Sequence, residues 1–172
     1  MRFSFGSFVV RGLFATLVMD VCGALVRSTG LTAGLPPQLI GKWFAYLLHG
    51  RLIHDDIAAS PDIPVSLALV VAIHYAIGIL LAGIFTLLTS RTSRSRSMPL
   101  LALGFGIVTV ALPWFVMFPA MGFGVAGTQS PEEFLLTRTS AVNHAFLGFG
   151  LMLWPAVARW SKRRTALRQS TL

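Results

Sequence analysis

The chain has 172 residues, of which 55% are hydrophobic and only 12% are charged, and its mean hydropathy is +0.74. A soluble domain carries about 25% charged residues, and the apolar runs here are long enough for membrane helices, which need about 20 residues. The composition excludes an ordinary soluble domain and predicts one all-α membrane domain over residues 1–172. The net charge of +8 does not indicate nucleic-acid binding, because the basic residues lie at the ends of the apolar runs. Cys22 is the only cysteine, so no disulfide can form within the chain.

The first apolar segment, about residues 7–28, is predicted to be an uncleaved membrane helix. Asp20 interrupts its apolar run, and no convincing small-residue cleavage site precedes Cys22, so a signal peptide is disfavoured. Small and polar residues recur at steps of three and four and therefore share one helical face. Such a face lets helices approach closely in lipid. Its members are Gly12, Thr16, Asp20, Gly23 and Arg27.

The connection over residues 29–63 is too long for a turn. Within it, the stretch PPQLIGKWFAYLLHG predicts a short helix that begins after Pro36-Pro37 and ends near Gly50. Trp43 and Tyr46 suit a helix that lies at the level of the lipid headgroups. A cap packed over the helical bundle is the alternative interpretation.

The second and third spans are predicted at about 64–89 and 98–122. The third contains two helix-kink residues, Pro113 and Pro119. Proline inside a membrane helix frees a carbonyl and bends the chain, which is tolerated where neighbours or water satisfy the backbone. This segment is predicted either to be a broken helix that exposes backbone groups to a site, or to be bent only for packing.

The fourth span is predicted at about 138–159 and matches the second span at an offset of 70 residues. Ser60-Pro61-Asp62 falls on Ser130-Pro131-Glu132, and the pattern H-x-x-x-G at His74 falls on the same pattern at His144. Few positions agree, so chance competes with a true repeat. The match predicts two related helical hairpins, as in transporters built from parallel repeats.

Basic residues on alternate connections predict the orientation. The 90–97 loop and the basic tail, residues 160–172, contain arginine or lysine and no acid, whereas the other two connections hold five of the six acidic residues. Cytoplasmic loops are enriched in arginine and lysine. Both termini are therefore predicted to lie in the cytoplasm.

Asp20, His74 and His144 are the ionisable candidates for a site within the membrane. At about 1.5 Å per residue they lie at about 12, 15 and 9 Å below the outer boundary. A charged group there costs on the order of 2.5–3.5 kcal/mol, so Asp20 is expected to pair with His74 or His144. These residues, with Thr109 on the inward face of the third span, are the candidates for a ligand-binding site or proton relay. Imidazoles ordinarily titrate between about pH 5 and 8.

Two alternatives stay open. His54 stands beside Asp55 and Asp56, and Asp20, His54, His74 and His144 together offer the ligand types of a divalent transition metal, in a membrane-embedded metalloprotein or metalloenzyme. No recognised metal-ligand spacing is present. The other alternative is a structural hydrogen bond between helices in an assembly partner of another membrane protein. No residue is indicated as catalytic.

Several segments, in this order, resemble a bacterial family of small inner-membrane proteins known as domain of unknown function 2938. They are GLFATLVMDV, GKW, GRLIHDDIAASP, HYAIGI, TVALPWFVMFPAMGFG and NHAFLGFGL, and they span about residues 10–155. The resemblance implies a small membrane protein but no biochemical activity. One departure is Val21-Cys22, where the family pattern leads us to expect an aromatic residue. The characteristic polar and proline positions that the resemblance implies are Asp20, Trp43, His54, His74, Pro119 and His144.

These observations together predict an all-α membrane bundle of four spans with a polar cluster that opens towards the outer side. The function expected from it is that of a small transport or ligand-binding protein, and the lipid bilayer is its expected partner. Four helices are few for a transport path, which favours a homodimer, although no surface stripe proves one.

Overall fold

The structure, a computed structural model, describes residues 5–34, 36–90, 97–130 and 133–169. Its described residues contain helices and no strands, which confirms the predicted all-α class. The loop at 91–96 and the acidic end of the second Ser-Pro turn, Pro131-Glu132, lie outside the described residues. The helices are α1 (Phe5–Ser28), α2 (Pro37–Leu48), α3 (Leu67–Leu88), α4 (Met98–Thr109), a π-helical turn (Pro113–Met117), α5 (Phe118–Ala120), a 3-10 turn (Val125–Gly127) and α6 (Glu133–Gln169).

Four of these helical segments are long and apolar enough to cross a membrane, as the hydropathy pattern predicts. They are Gly6–Ser28, Leu67–Leu88, Met98–Ala120 and Phe134–Ser161. The helix α6 extends beyond the predicted span of 138–159 at both ends. Its basic continuation is rich in Arg, Lys, Ala and Leu, which are good helix formers, so the helix continues after the apolar run has ended.

The bundle is built around α1 and α6, which pack against each other. The helix α3 flanks α1, and α4 flanks α6. Between them lies an apolar core that includes Ala15, Ala82, Ala102 and Leu151. The two outer helices meet through Phe85 and Phe105, whose ring centroids are 5.3 Å apart. Each pair of sequential spans therefore forms a helical hairpin.

Glycines allow the helices of each hairpin to cross closely. A Cβ atom at Gly78 would lie 1.8 Å from the Thr16 hydroxyl oxygen on α1. A Cβ atom at Gly148 would lie 2.7 Å from the carbonyl oxygen of Ala102 on α4. These glycines occupy matching positions in the 70-residue repeat. The repeat itself stays a prediction, and the two crossings agree with it.

The third span is interrupted near its first proline. Regular helix ends at Thr109, one turn before Pro113, and a π-helical turn over Pro113–Met117 follows. Proline cannot donate a backbone hydrogen bond, and π-helical turns within membrane helices accommodate such a missing bond. The side chain of Trp114 leaves this turn towards α6 and donates to the Ser140 hydroxyl at 2.7 Å.

The helix α2 and the segment 51–62 form a cap at the end of the bundle where α1 ends and α3 begins. Three side chains of α2 bind this segment: Trp43 donates to the Leu52 carbonyl at 2.9 Å, Tyr46 to that of Pro61 at 2.9 Å, and Lys42 pairs with Asp62 at 3.0 Å. The predicted short helix is confirmed. We call this end of the bundle the cap end and the opposite one the tail end.

The close crossing of α4 and α6 gives a matched test. A Cβ atom at Gly106 would lie 2.5 Å from backbone atoms of Gly148 and His144, whereas one at Gly104 meets nothing within 4 Å. We expect Gly106→Ala to lower the free energy of unfolding by about 1–3 kcal/mol through overpacking. Gly104→Ala, two residues away, should leave it unchanged or raise it slightly. Unfolding in mixed micelles measures both, and equal effects of the two variants would contradict this packing.

Candidate functional site

An aspartate and a histidine meet between α1 and α3. The imidazole Nε2 of His74 lies 2.8 Å from Oδ1 of Asp20. Asp20 is one helical turn from Thr16, and His74 is one turn from Gly78, so the close crossing of the helices brings these side chains together. Of the two partners that the sequence offers for Asp20, the structure pairs it with His74.

This pair is half-exposed rather than enclosed. The side chains of Asp20 and His74 are 38% and 43% accessible. A carboxylate at membrane depth is costly unless it is paired or meets water, and the imidazole supplies that pairing here. The pair can therefore be reached by a proton or a ligand without opening the helical core.

Tyr75 joins the pair, although sequence analysis did not single it out. Its hydroxyl group is close enough to interact with the Asp20 carboxylate, and its ring is perpendicular to that of His74. The carboxylate thus lies beside two consecutive residues of α3. The only sequence feature that points to Tyr75 is its position directly after His74. A tyrosine that merely faces lipid could stand at the same position.

The second histidine pairs with the third span. His144 Nδ1 lies 2.8 Å from the hydroxyl oxygen of Thr109, and this hydroxyl donates to the Gly106 carbonyl at 2.6 Å. A hydroxyl group has a single proton, so Nδ1 of His144 carries the ring proton and donates to Thr109. The neutral ring then presents its Nε2 lone pair. The candidates Thr109 and His144 are therefore brought together, but as a pair of their own.

The two pairs are neighbours across the bundle. His74 and His144 are close enough for a charge on one ring to act on the other. When neutral, His74 donates from Nε2 to Asp20 and keeps its lone pair on Nδ1. No described residue hydrogen-bonds to Nδ1 of His74 or to Nε2 of His144. Each ring can therefore accept a proton without breaking the hydrogen bond that orients it.

A further ionisable residue, Arg11, lies within the first span and was not among the residues that the sequence indicated. Its guanidinium donates to the Thr86 hydroxyl at 2.9 Å and lies 6.0 Å from the centre of the Phe85 ring. Arg11 lies nine residues before Asp20 on α1, which separates the two by about 14 Å along the helix. It therefore belongs to the tail end of the bundle and not to the site.

His54 lies in the cap and not beside the membrane pairs. Its side chain is buried, with the whole residue 2% exposed, and its Nδ1 lies 3.2 Å from the Ser60 hydroxyl. Its ring packs on Tyr46, and its backbone N–H donates to the Ala120 carbonyl at 2.9 Å. These contacts tie the segment 51–62 to both α2 and α5.

The proposed metal ligands are not grouped as a metal site. Among the described residues, no three His, Cys, Asp or Glu side chains lie close enough together to hold a metal ion. Asp20 and His74 are bound to each other, His144 is bound to Thr109, and His54 is held in the cap. Each pair offers only two side chains as metal ligands, whereas protein metal sites use three or four.

A pair of double-mutant cycles tests this assignment of partners. We expect Asp20→Ala and His74→Ala to couple by about 1 kcal/mol, within the range of side-chain hydrogen bonds between membrane helices. The cycle with Asp20→Ala and His144→Ala should show a clearly smaller coupling energy. Free energies of unfolding in mixed micelles give both values. A larger coupling between Asp20 and His144 would mean that the carboxylate has the other partner.

The chain matches a known protein family. Residues 9–158 match a family described as "Protein of unknown function (DUF2938)". Comparisons with curated proteins and with solved structures found no match. The family match includes all four spans except the first three residues of the first and the last three of the fourth, and it includes every residue of the two pairs. This chain belongs to the DUF2938 family.

Proposed function

We propose that this protein is a small transport or ligand-binding protein of the bacterial inner membrane. Asp20, His74 and His144 are its protonatable groups, and Thr109 orients His144. The observation that carries the proposal is the 2.8 Å hydrogen bond between Asp20 and His74 within two membrane-spanning helices. Ionisable residues in membrane spans are rare and costly, and they commonly mark pathways for protons or ions. The half-exposed position of the pair supports a role in binding rather than in packing alone.

The chemistry proposed for this site is proton uptake by two linked imidazoles. The Asp20 carboxylate orients His74 and stabilises its charged form, whereas Thr109 orients His144 without contributing a charge. Once one imidazole carries a proton, its positive charge therefore opposes proton uptake by the other. Such a site responds to pH in the range where imidazoles titrate, between about pH 5 and 8.

A purely structural role is the second candidate, and it is favoured by the Thr109–His144 pair. That pair involves no charged partner and joins two helices that already pack closely at Gly106 and Gly148. If both pairs serve only assembly, substitution of Asp20 lowers the abundance of the protein and changes no response to pH. We do not propose the metal alternative, because the described residues group no third ligand with Asp20 and His74.

Proton passage through vesicles tests the proposal. We expect vesicles that contain the protein and a trapped pH-sensitive dye to equilibrate a pH step faster than empty vesicles. Hydrogen bonds to charged groups contribute about 1.5–3 kcal/mol, so Asp20→Asn should slow the passage roughly tenfold or more. The matched control is Asp55→Asn, the same chemical change at an exposed residue of the cap.

Three outcomes would each contradict the proposal. If wild-type vesicles equilibrate no faster than empty ones, the protein does not transport protons by itself. If the NMR titration curve of the His74 ring is the same in wild type and in Asp20→Asn, the carboxylate and imidazole do not act as one protonatable site. A passage rate that does not change between pH 5 and 8 would also count against the imidazoles.

The orientation is tested by labelling single cysteines in intact cells. In a Cys22→Ser background, we expect Asp55→Cys to react with a membrane-impermeable maleimide. Arg163→Cys should react only after the inner membrane is opened, because arginine-rich ends stay in the cytoplasm. Both positions are exposed in the structure. The reverse pattern would place the cap end in the cytoplasm and overturn the proposed topology.

A further inference from the structure

A groove on the lipid-facing side of the bundle runs along α1 towards Asp20. It has a volume of about 640 Å³. From Gly6 to Leu17 it spans eleven residues of α1, or about 16 Å. Its wall is almost entirely apolar between the tail end and the level of Tyr75. The side chains that line it include Val10, Leu13, Phe14 and Leu17 of α1, Tyr75 of α3 and Trp154 of α6.

The groove ends beside a carboxylate. Leu17 lies one turn below Asp20 on α1, and Tyr75 both lines the groove and approaches the Asp20 carboxylate. Asp20 is the only acidic residue in the four spans. His74 occupies one of its oxygen atoms, Oδ1. The side chain of Asp20 remains 38% accessible, which leaves room for a second partner beside His74 and Tyr75.

We propose that this groove binds an amphipathic cation, with its charged head at Asp20 and its apolar tail along Leu17, Phe14 and Trp154. This inference rests on the proposed function and names the class of ligand that the same site takes. The charge complementarity is specific, because a carboxylate at membrane depth attracts a cation and repels the phosphate of a phospholipid head. The open side of the groove allows entry directly from the bilayer.

Protonation of His74 competes with this ligand. When His74 is charged, it neutralises Asp20 and repels a cationic head; when it is neutral, the carboxylate retains its full attraction. Binding of a cation with a fixed charge is therefore strongest above the titration range of the imidazoles and weakens as the pH falls through it. Binding at high pH in turn favours release of the imidazole proton.

Few other titratable groups face Asp20. From α3 these are His74 and Tyr75, and from α6 it is His144, which lies near His74 and is bound to Thr109. On α1 itself, Arg27 lies two turns further along, and its guanidinium lies against Gly34. The two imidazoles are the groups near Asp20 that gain a positive charge on taking up a proton, so the pH dependence of binding reports on them.

Fluorescence of Trp154 in phosphatidylcholine vesicles tests the proposal. The probe is dodecyltrimethylammonium with a bromine at the end of its chain, which quenches tryptophan; the neutral control is dodecanol brominated at the same position. Subtracting the signal of Trp154→Phe isolates Trp154 from the other tryptophans. We expect saturable quenching by the cationic probe alone. Its half-saturating concentration should rise roughly tenfold in Asp20→Asn, equivalent to about 1.4 kcal/mol, and should also be higher at pH 5 than at pH 8.

Matched variants separate the groove from the proton site. Leu17→Phe narrows the groove at a lipid-facing position, so it should weaken binding of the probe while leaving the NMR titration of His74 and the proton passage unchanged. Asp55→Asn should change nothing. Equal quenching by the cationic and neutral probes, or saturable binding that Asp20→Asn leaves unaltered, would overturn the proposal. If the probe binds as expected but the vesicles pass no protons, cation binding in the groove is supported and the proposed proton transport is contradicted.

Discussion

The close crossing of α1 and α3 is the contact on which the site depends. At Gly78 there is no room for a side chain, because the Thr16 hydroxyl oxygen lies 1.8 Å from where a Cβ atom would be. Membrane helices gain little from apolar contacts that lipid can also provide, so small residues and interhelical hydrogen bonds decide their approach. One turn from this crossing, Asp20 and His74 reach a hydrogen-bonding distance of 2.8 Å. A larger residue at position 78 would separate the helices and the pair together.

The sequence allowed the four spans and the short cap helix to be predicted, because hydropathy and length suffice to find a membrane helix. It also placed Asp20, His74 and His144 at similar depths. Depth does not say which helices are neighbours, so the choice of His74 as the partner of Asp20 required the structure. The same lack of lateral information led His54 to be grouped with the membrane residues. Its contacts with Ser60 and Ala120 place it in the cap.

The cap shows why polar residues in a membrane protein are not all site residues. The side chains of Trp43 and Tyr46 donate to carbonyl groups of the segment 51–62, and the backbone N–H groups of His54 and Ile57 donate to carbonyl groups at the end of the third span. Backbone groups near lipid need such partners, because an unsatisfied group costs several kcal/mol. These residues hold an irregular segment over the bundle, and the sequence pattern alone could not distinguish this role from binding.

Asp20 lies between two different surroundings, and this position links the site and the groove. On one side its carboxylate accepts a hydrogen bond from His74, which in turn lies near His144. On the other side it lies beside Tyr75 and the apolar groove that opens to lipid. A proton held by His74 and the cation proposed for the groove would lower the same negative charge, so each would weaken the binding of the other. Because such linkage is reciprocal, the proposed exchange of one for the other would take place at a single carboxylate, without a separate site for each.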